Sequence, residues 1–124
     1  MLNRILFPAL NQIQIEKWNI ETQLLTLNIY LQPRQARCPD CETFSDRIHS
    51  RYRRTIFDLP CAGLAVKIIV TVRRFFCPSS SCPRVTFAEQ IDDLAPRYAR
   101  RTKRLIETQR LVGFELGGEA GKRL

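Results

Sequence analysis

Two widely separated cysteine pairs constrain this chain more than any other feature. Cys38 and Cys41 form a C-x2-C motif, and Cys77 and Cys82 form a C-x4-C motif. Four thiolates at about 2.3 Å in a tetrahedron suit a structural Zn²⁺ site, and a tight turn can offer two of them. Residues 42–76 are enough to run out along one strand and return along another. The sequence therefore predicts a zinc ribbon in which these four cysteines bind one Zn²⁺.

Other interpretations of the cysteines are weaker. Five cysteines is an odd number, so a disulfide framework is not favoured in a reducing compartment. A redox C-x-x-C pair usually opens a helix beside a βαβ unit, which the pattern does not indicate. Iron would use the same four ligands and stays open as an alternative. Cys61 is predicted to be a spare thiol, and His49 a packing or phosphate-contacting residue instead of a ligand.

Hydrophobic periodicity predicts two β-hairpins. Residues 13–32 alternate as two strands with a turn at 21–23, and Pro33 ends the run. Residues 51–57 and 64–76 form the arms of the second hairpin, whose turn is expected at 60–63. In the longer arm, the apolar side chains share one face and the basic ones the other.

After Pro96 the period changes to that of a helix, with Asp93 as the expected N-cap and Gly113 as the expected end. A second helix is expected to begin near Gly118. The predicted fold is α+β, with a β-hairpin in residues 1–33, a zinc-ribbon domain in residues 34–90 and a partial helix-turn-helix in residues 91–124.

The chain is strongly basic, with 20 Lys and Arg against 12 Asp and Glu and a formal net charge of +8. A polyanion is the natural partner, and arginine suits phosphate oxygens. Basic residues interleave with aromatic ones in both hairpin arms and cluster after Pro96. The alternative is that these arginines are solvated or support the metal site. The candidate DNA contacts are Arg51, Arg53, Arg54, Arg73, Arg74, Arg97, Arg100, Arg101, Lys103 and Arg104.

Catalysis and membrane insertion are not indicated. The one adjacent carboxylate pair, Asp92 and Asp93, is better explained as a helix start than as a nuclease centre, and a single His49 hardly supplies a catalytic base. No apolar run approaches the length of a bilayer span, and the first eleven residues lack a secretory signal pattern, so a cytoplasmic location is expected.

The motifs CPDC, IHSRYRR, IFDLPCAG, VRRFFCPSSSCPRVTFAEQ and LAPRYARRT resemble the opening of ISL-three-type insertion-sequence transposases. The resemblance covers residues 33–124. In that family a zinc-binding amino-terminal domain precedes a helix-turn-helix and a catalytic domain with an Asp-Asp-Glu triad. It implies that Cys38, Cys41, Cys77 and Cys82 are zinc ligands and that this region recognises the terminal inverted repeats of the element.

We expect the chain to depart from the family pattern by ending before the recognition helix and lacking the catalytic domain. We therefore expect a non-enzymatic fragment, with zinc as a scaffold and element-end DNA as partner. A second hypothesis is a protein-interaction fragment that pairs with full-length transposase, or with itself, and inhibits it. A third is a redox or iron-binding four-cysteine protein.

Overall fold

The computed structural model describes residues 12–116, with side chains described as far as residue 113. The described part is mostly β-sheet with one helix. Its elements, in chain order, are β1 (Ile13–Glu21), β2 (Leu24–Leu31), β3 (Ala36–Arg37), β4 (Phe44–Ser45), β5 (Ile48–Cys61), β6 (Leu64–Phe76), β7 (Thr86–Ala88) and α1 (Lys103–Leu116).

Two tight turns join antiparallel neighbours. β1 and β2 are connected by Thr22 and Gln23, whose φ values are 52° and 60°, and β5 and β6 by Ala62 and Gly63, at 51° and 79°. Positive φ at both central residues is the conformation whose twist matches that of the flanking strands. The second turn therefore lies at Ala62 and Gly63, while Pro60 and Cys61 still belong to β5.

The two hairpins form one sheet, which the strand patterns by themselves did not predict. β2 pairs in parallel with β6, from Leu24 opposite Ala65 to Tyr30 opposite Thr71, so the strand order is β1-β2-β6-β5. β7 pairs with the end of β6. The ribbon made by β5 and β6 is thus joined to the first hairpin by backbone hydrogen bonds between β6 and β2, over residues 65–71 of β6.

The main hydrophobic core lies on one face of this sheet. Alternate residues of β2 and β6 face inward, as the period-2 pattern predicted for β6. The chain segment after β7 covers them with Ile91, Leu94 and Ala95. The buried residues of this sheet core are Ile13, Leu25, Leu27, Ile29, Ile56, Val66, Ile68, Val70, Val72, Ile91, Leu94 and Ala95.

The predicted start of the helix is wrong. Residues around Asp93 form turns, and the segment that follows pairs with the edge of β5, where the backbone N–H of Phe57 donates to the carbonyl of Arg100 at 2.8 Å. The helix begins only at Lys103, because the Thr102 hydroxyl accepts a hydrogen bond from the backbone N–H of Leu105 at 3.1 Å and caps it. Arg97, Arg100 and Arg101 therefore precede the helix.

The predicted end of the helix is also wrong, since α1 continues through Gly113 to Leu116. The second helix expected near Gly118, and with it the helix-turn-helix, falls outside the described residues. Among the helices of the described part of the chain, none combines the length and apolarity that crossing a bilayer requires.

Candidate metal centre and the basic groove beside it

The first cysteine pair lies in a tight turn between the short strands β3 and β4. The backbone N–H of Cys38 donates to the carbonyl of Thr43 at 3.0 Å, and that of Glu42 donates to the carbonyl of Cys38 at 2.9 Å. Glu42 takes a φ of 63°, a left-handed conformation that a non-glycine residue adopts at a cost. This turn directs the thiols of Cys38 and Cys41 to the same side.

The second pair lies in the loop between β6 and β7. The backbone N–H of Cys77 donates to the carbonyl of Val85 at 2.9 Å, and that of Cys82 donates to the carbonyl of Ser79 at 3.4 Å. β7 then returns along the end of β6. We call the two cysteine turns with their short strands, residues 36–45 and 77–88, the cysteine end of the ribbon.

The four thiols predicted as ligands meet at one point. The Sγ atoms of Cys38 and Cys82 are 3.9 Å apart, those of Cys41 and Cys77 are 3.5 Å apart, and all four lie within 4.8 Å of one another. Tetrahedral coordination with bonds of about 2.3 Å would place the sulfurs roughly 3.8 Å apart. The donor set and its close spacing therefore fit a four-thiolate metal ion.

A second, small core supports this cluster. Cys38 is fully buried, and the other three cysteines are half-buried. Beneath them the rings of Phe75 and Phe87 are stacked, with centroids 5.8 Å apart, and both are buried. The cluster is thus shielded by an aromatic floor on one side and open to solvent at its rim.

The electrostatics of the cluster favour a cation. Hydrogen bonds from Thr43 lower the pKa of Cys41 to about 6. A backbone hydrogen bond from Ser79 favours ionisation of Cys77, but burial and the neighbouring thiols outweigh it and raise the pKa of Cys77 to about 12. Thiolates this close repel one another, so complete ionisation needs a positive ion among them.

An ion pair joins the two cysteine turns at the surface. The Nε atom of Arg84, which follows Cys82, donates to the Asp40 carboxylate at 2.7 Å, and Asp40 lies between the cysteines of the first pair. Both side chains are about one-third to one-half exposed, so the pair orients the turns more than it stabilises them.

Two other candidates lie apart from the metal cluster. Cys61 ends β5 and packs partly against the sheet core. His49 is exposed; its Nδ1 is 2.9 Å from the Ser50 hydroxyl, and its ring meets that of Phe76 edge to face at 5.0 Å. Among the described residues, neither belongs to the group that could hold the metal.

A groove of about 870 Å³ extends beside the cysteine end, between β5 and the segment before α1. Arginine and aromatic side chains dominate its lining, against the two carboxylates of Glu89 and Asp92. The sequence-predicted DNA contacts in the lining are Arg53, Arg54, Arg74, Arg97 and Arg100. The lining also includes Arg84, Tyr52, Phe57 and Tyr98, which were not among the predicted contacts.

Two of these arginines are fixed by neutral partners. The Arg54 guanidinium donates to the carbonyls of Pro96 at 2.6 Å and Ala99 at 2.7 Å, and Arg74 donates to the Thr86 hydroxyl at 3.3 Å. Carbonyl and hydroxyl groups leave the positive charge uncompensated. These hydrogen bonds therefore fix the positions of the two guanidinium groups, and the charges of both groups still contribute to a positive electrostatic potential in the groove.

Tyr98 is the most exposed aromatic residue of the groove, at 83%. Its φ is 64°, and the Arg97 guanidinium lies 5.0 Å from its ring centroid. The helix predicted after Pro96 would have included Tyr98, but Tyr98 lies before α1. The hydrophobic periodicity of the sequence did not indicate that this ring faces solvent.

Two other predicted contacts are paired with buried carboxylates. The Arg73 guanidinium binds Glu89 through both carboxylate oxygens, the shortest distance being 2.6 Å, and also donates to the carbonyl of Pro33. Arg104 forms an ion pair with Asp58. Both charges are compensated within the protein, so Arg73 and Arg104 are held chiefly by internal contacts.

Sequence reasoning missed Asp58 and Glu89, although a signal existed. Each continues the buried face of an alternating segment: Asp58 follows Ile56, and Glu89 follows Phe87. Burial disfavours the Asp58 carboxylate, but hydrogen bonds from Arg104, from the Thr102 hydroxyl and from the backbone of Leu59 outweigh it and lower its pKa. A carboxylate at a buried position predicts a partner of this kind.

The remaining predicted contacts lie outside the groove. Arg51 lies opposite Arg73 in the β5–β6 pair and lines a separate depression with Arg53 and Tyr30. Arg101 donates to the side chain of Gln109. Lys103 is exposed at the first residue of α1.

The fold and the four thiols define a class, a β-sheet protein with a zinc-ribbon-like metal site. Residues 34–82 match the family model described as zinc-finger of transposase IS204/IS1001/IS1096/IS1165, a segment that contains all four cysteines. Residues 34–82 are thus similar to the zinc-finger region of this transposase family, which confirms the resemblance noted in the sequence. Neither the search of curated proteins nor that of solved structures gave a match.

Proposed function

We propose that this chain is a zinc-stabilised DNA-binding module of a transposase. The observation that carries the proposal is the position of the basic groove, which lies directly beside the four-thiol cluster and shares Pro39 and Arg84 with its two turns. The metal would fix the shape of a surface whose charge suits a nucleic acid. The module is not itself catalytic.

Zinc is the metal that best suits the cluster. Cys38, Cys41, Cys77 and Cys82 would hold it, and four thiolates leave no coordination position for a substrate. Its contribution is to cross-link the two cysteine turns and to compensate the thiolate charge. This role is structural, in agreement with the description of the matching family as a zinc finger.

The groove suits a phosphate backbone with a stacking contact. Among the residues that the structure describes, Arg53, Arg97 and Arg100 form no ion pair with a carboxylate, so their charges remain available. Exposed Tyr52 and Tyr98 offer ring faces next to these cations. Arginine beside tyrosine is a combination that binds phosphate and sugar or base together.

We infer that the natural partner is the end of an insertion element, since the family is one of transposases. Lys103 at the start of α1, with Arg51 and Arg101 outside the groove, would add further phosphate contacts. A DNA partner also fits a cytoplasmic location, where thiols stay reduced for the metal.

Fluorescence anisotropy with a labelled duplex tests the proposal. The zinc-loaded protein should bind DNA with an affinity that falls steeply as salt rises, because each neutralised phosphate releases counterions. Arg97→Gln and Arg100→Gln each remove one available groove charge, and each should weaken binding severalfold and reduce the salt slope by about one, while the double variant should lose roughly tenfold or more.

The matched control is Arg110→Gln, which removes the same charge from the exposed face of α1, where Arg110 contacts Glu107. Its effect should be small. Equal losses in the control and in either groove variant would show that net charge, and not the groove, governs binding. Absence of binding by the zinc-loaded protein at low salt would refute the proposal.

A further inference from the structure

The strand β1 forms one edge of the sheet, and its side chains are unusual for an edge. Among residues 12–116, β1 pairs only with β2. Trp18 and Ile20 lie opposite Leu27 and Leu25, on the same face as the sheet core, yet they are 56% and 50% exposed. The apolar face of the sheet therefore continues to the edge strand and remains uncovered there by the described residues.

The tight turn determines which backbone groups of β1 face outward. Glu21 and Leu24 flank the two-residue turn and form the hydrogen-bonded closing pair of the hairpin. The alternation of an antiparallel ladder then turns the N–H and C=O groups of Asn19 and Lys17 toward β2, and those of Ile20 and Trp18 toward the free edge. The outer edge thus offers two residues ready to pair with another strand.

We propose that a second copy of this chain pairs with β1 in antiparallel orientation, about a twofold axis that passes through Asn19. Trp18 and Ile20, whose backbone groups face the edge, would then lie opposite Ile20 and Trp18 of the other copy. Lys17 would lie opposite the Glu21 of the other copy, and Glu21 opposite its Lys17. Each face of β1 is therefore complementary to the same face of β1 in the second copy.

Other registers lack this complementarity. The outward-facing residues restrict the axis to Trp18, Asn19 or Ile20, because hydrogen-bonding positions must lie opposite one another. An axis at Trp18 would set Lys17 against Asn19, and one at Ile20 would set Asn19 against Glu21. Only the axis at Asn19 joins opposite charges, and it does so twice.

A β-bulge limits the length of β1 that can pair in this way. This bulge lies between Ile15 and Lys17, so the regular stretch of β1 runs from Lys17 to Glu21. Bulges and charged residues commonly protect an edge from unspecific pairing. Here the charged residues favour one register, because only that register pairs them with opposite charges, and the twofold axis makes the contact isologous and closed instead of open-ended.

Cross-strand pairs of opposite charge and of aromatic with β-branched residues stabilise neighbouring strands, and like charges destabilise them. The side chains of Lys17 and Glu21 would meet at non-hydrogen-bonded positions, where opposite residues come closest. The two copies would form one continuous sheet, with Trp18 and Ile20 of both covering each other on the core side.

Sedimentation velocity on the metal-loaded, DNA-free full chain tests this proposal over a wide range of protein concentration. The chain should form dimers. Lys17→Glu and Glu21→Lys should each weaken dimerisation roughly tenfold or more, because each places like charges opposite one another twice. An equimolar mixture of the two variants should form heterodimers, since the mixed pair again joins opposite charges at both positions.

The control is Lys103→Glu, which makes the same charge change at the exposed start of α1 and should leave dimerisation unchanged. The combined variant with Lys17→Glu and Glu21→Lys should dimerise like the wild type. Three results would overturn the proposal: a wild-type monomer at every concentration, dimers that survive both single changes, or a mixture that stays monomeric. DNA takes no part in the measurement, so this outcome is independent of the proposed function.

Discussion

The ribbon of β5 and β6 is held in two different ways at its two ends. Toward the tight turn, it belongs to the four-stranded path of the sheet and packs its apolar face into the sheet core. At the cysteine end, the buried core shrinks to Cys38, Phe75 and Phe87. One end depends on apolar burial and the other on a metal, so the two should respond differently to the same disturbance.

This difference changes what loss of the metal should do. An isolated two-stranded hairpin is marginal in water, which would make metal loss equivalent to complete unfolding. The parallel pairing of β2 with β6 gives the ribbon a core of its own. The cysteine end can therefore unfold while the sheet core persists.

The largest effect is expected from Cys77→Ser or from a strong chelator. Structural zinc contributes about 10 kcal/mol or more of apparent binding free energy at neutral pH, more than so small a core can replace. Hydrogen exchange should accelerate in residues 36–45 and 77–88 and stay slow in residues 65–72. Metal analysis by mass spectrometry should show loss of the ion. Equal exchange throughout the sheet would contradict the division into two ends.

Removing apolar volume from the sheet core should have the next largest effect. Ile68 is fully buried, so Ile68→Ala should lower the free energy of unfolding by about 2–5 kcal/mol in urea denaturation of the metal-loaded protein. The control is Ile69→Ala, whose half-buried side chain lies on the opposite face. A similar loss of unfolding free energy in both variants would show that the effect does not depend on which face of the sheet the side chain occupies.

Asp58→Asn should loosen the attachment of α1 to the sheet. It leaves the Arg104 guanidinium without its counter-charge, and because that side chain is 40% exposed, water screens part of the loss and the cost should be about 1–2 kcal/mol. Because the folded pKa of Asp58 lies below its ordinary value of 3.8, its stabilisation is complete above that pH and is lost as pH falls through the folded pKa. The difference between wild type and variant should therefore shrink in acid.

Denaturation of both proteins side by side measures this difference, since metal loss in acid affects both equally. Asp92→Asn is the matched control, because Asp92 is exposed and lies before the helix. A stability difference that stays constant from neutral pH into acid would show that Asp58 is not the titrating group.

The smallest effect is expected at the surface of the cysteine end. Asp40→Asn breaks the ion pair with Arg84 that joins the two cysteine turns. Such exposed pairs contribute little and are screened by salt. Chelator competition should show slightly faster metal loss at low salt and no difference at high salt. A large effect would mean that the turns depend on this pair more than on the metal.

Local sequence patterns predicted local features well. Alternation in residues 64–76 identified β6 and its buried face, and the spacing of the four cysteines identified a site whose sulfurs do meet. Both depend on residues close in sequence, or on a ligand chemistry so restrictive that few other arrangements satisfy it. The proposed pairing of Lys17 with Glu21 of a second copy also depends only on residues close together in β1.

The helix boundary shows where local reasoning failed. Asp93 and Pro96 carry good signals for a helix start, but Arg54 binds the carbonyls of Pro96 and Ala99 and holds this segment in turns. A contact between residues so far apart in sequence overrides the local preference. For the same reason Tyr98 lies in the groove lining and not in the predicted helix.

By itself, the sequence predicted the cluster of four cysteines, the long strands of the two hairpins and the inward face of β6, since each follows from residue chemistry and short-range periodicity. Only the tertiary structure decided that β2 lies beside β6, that Asp58 and Glu89 neutralise Arg104 and Arg73, and which arginines face a common groove. These features depend on contacts between residues far apart in sequence. The free energy of such a contact depends on both segments, so neither segment alone predicts it.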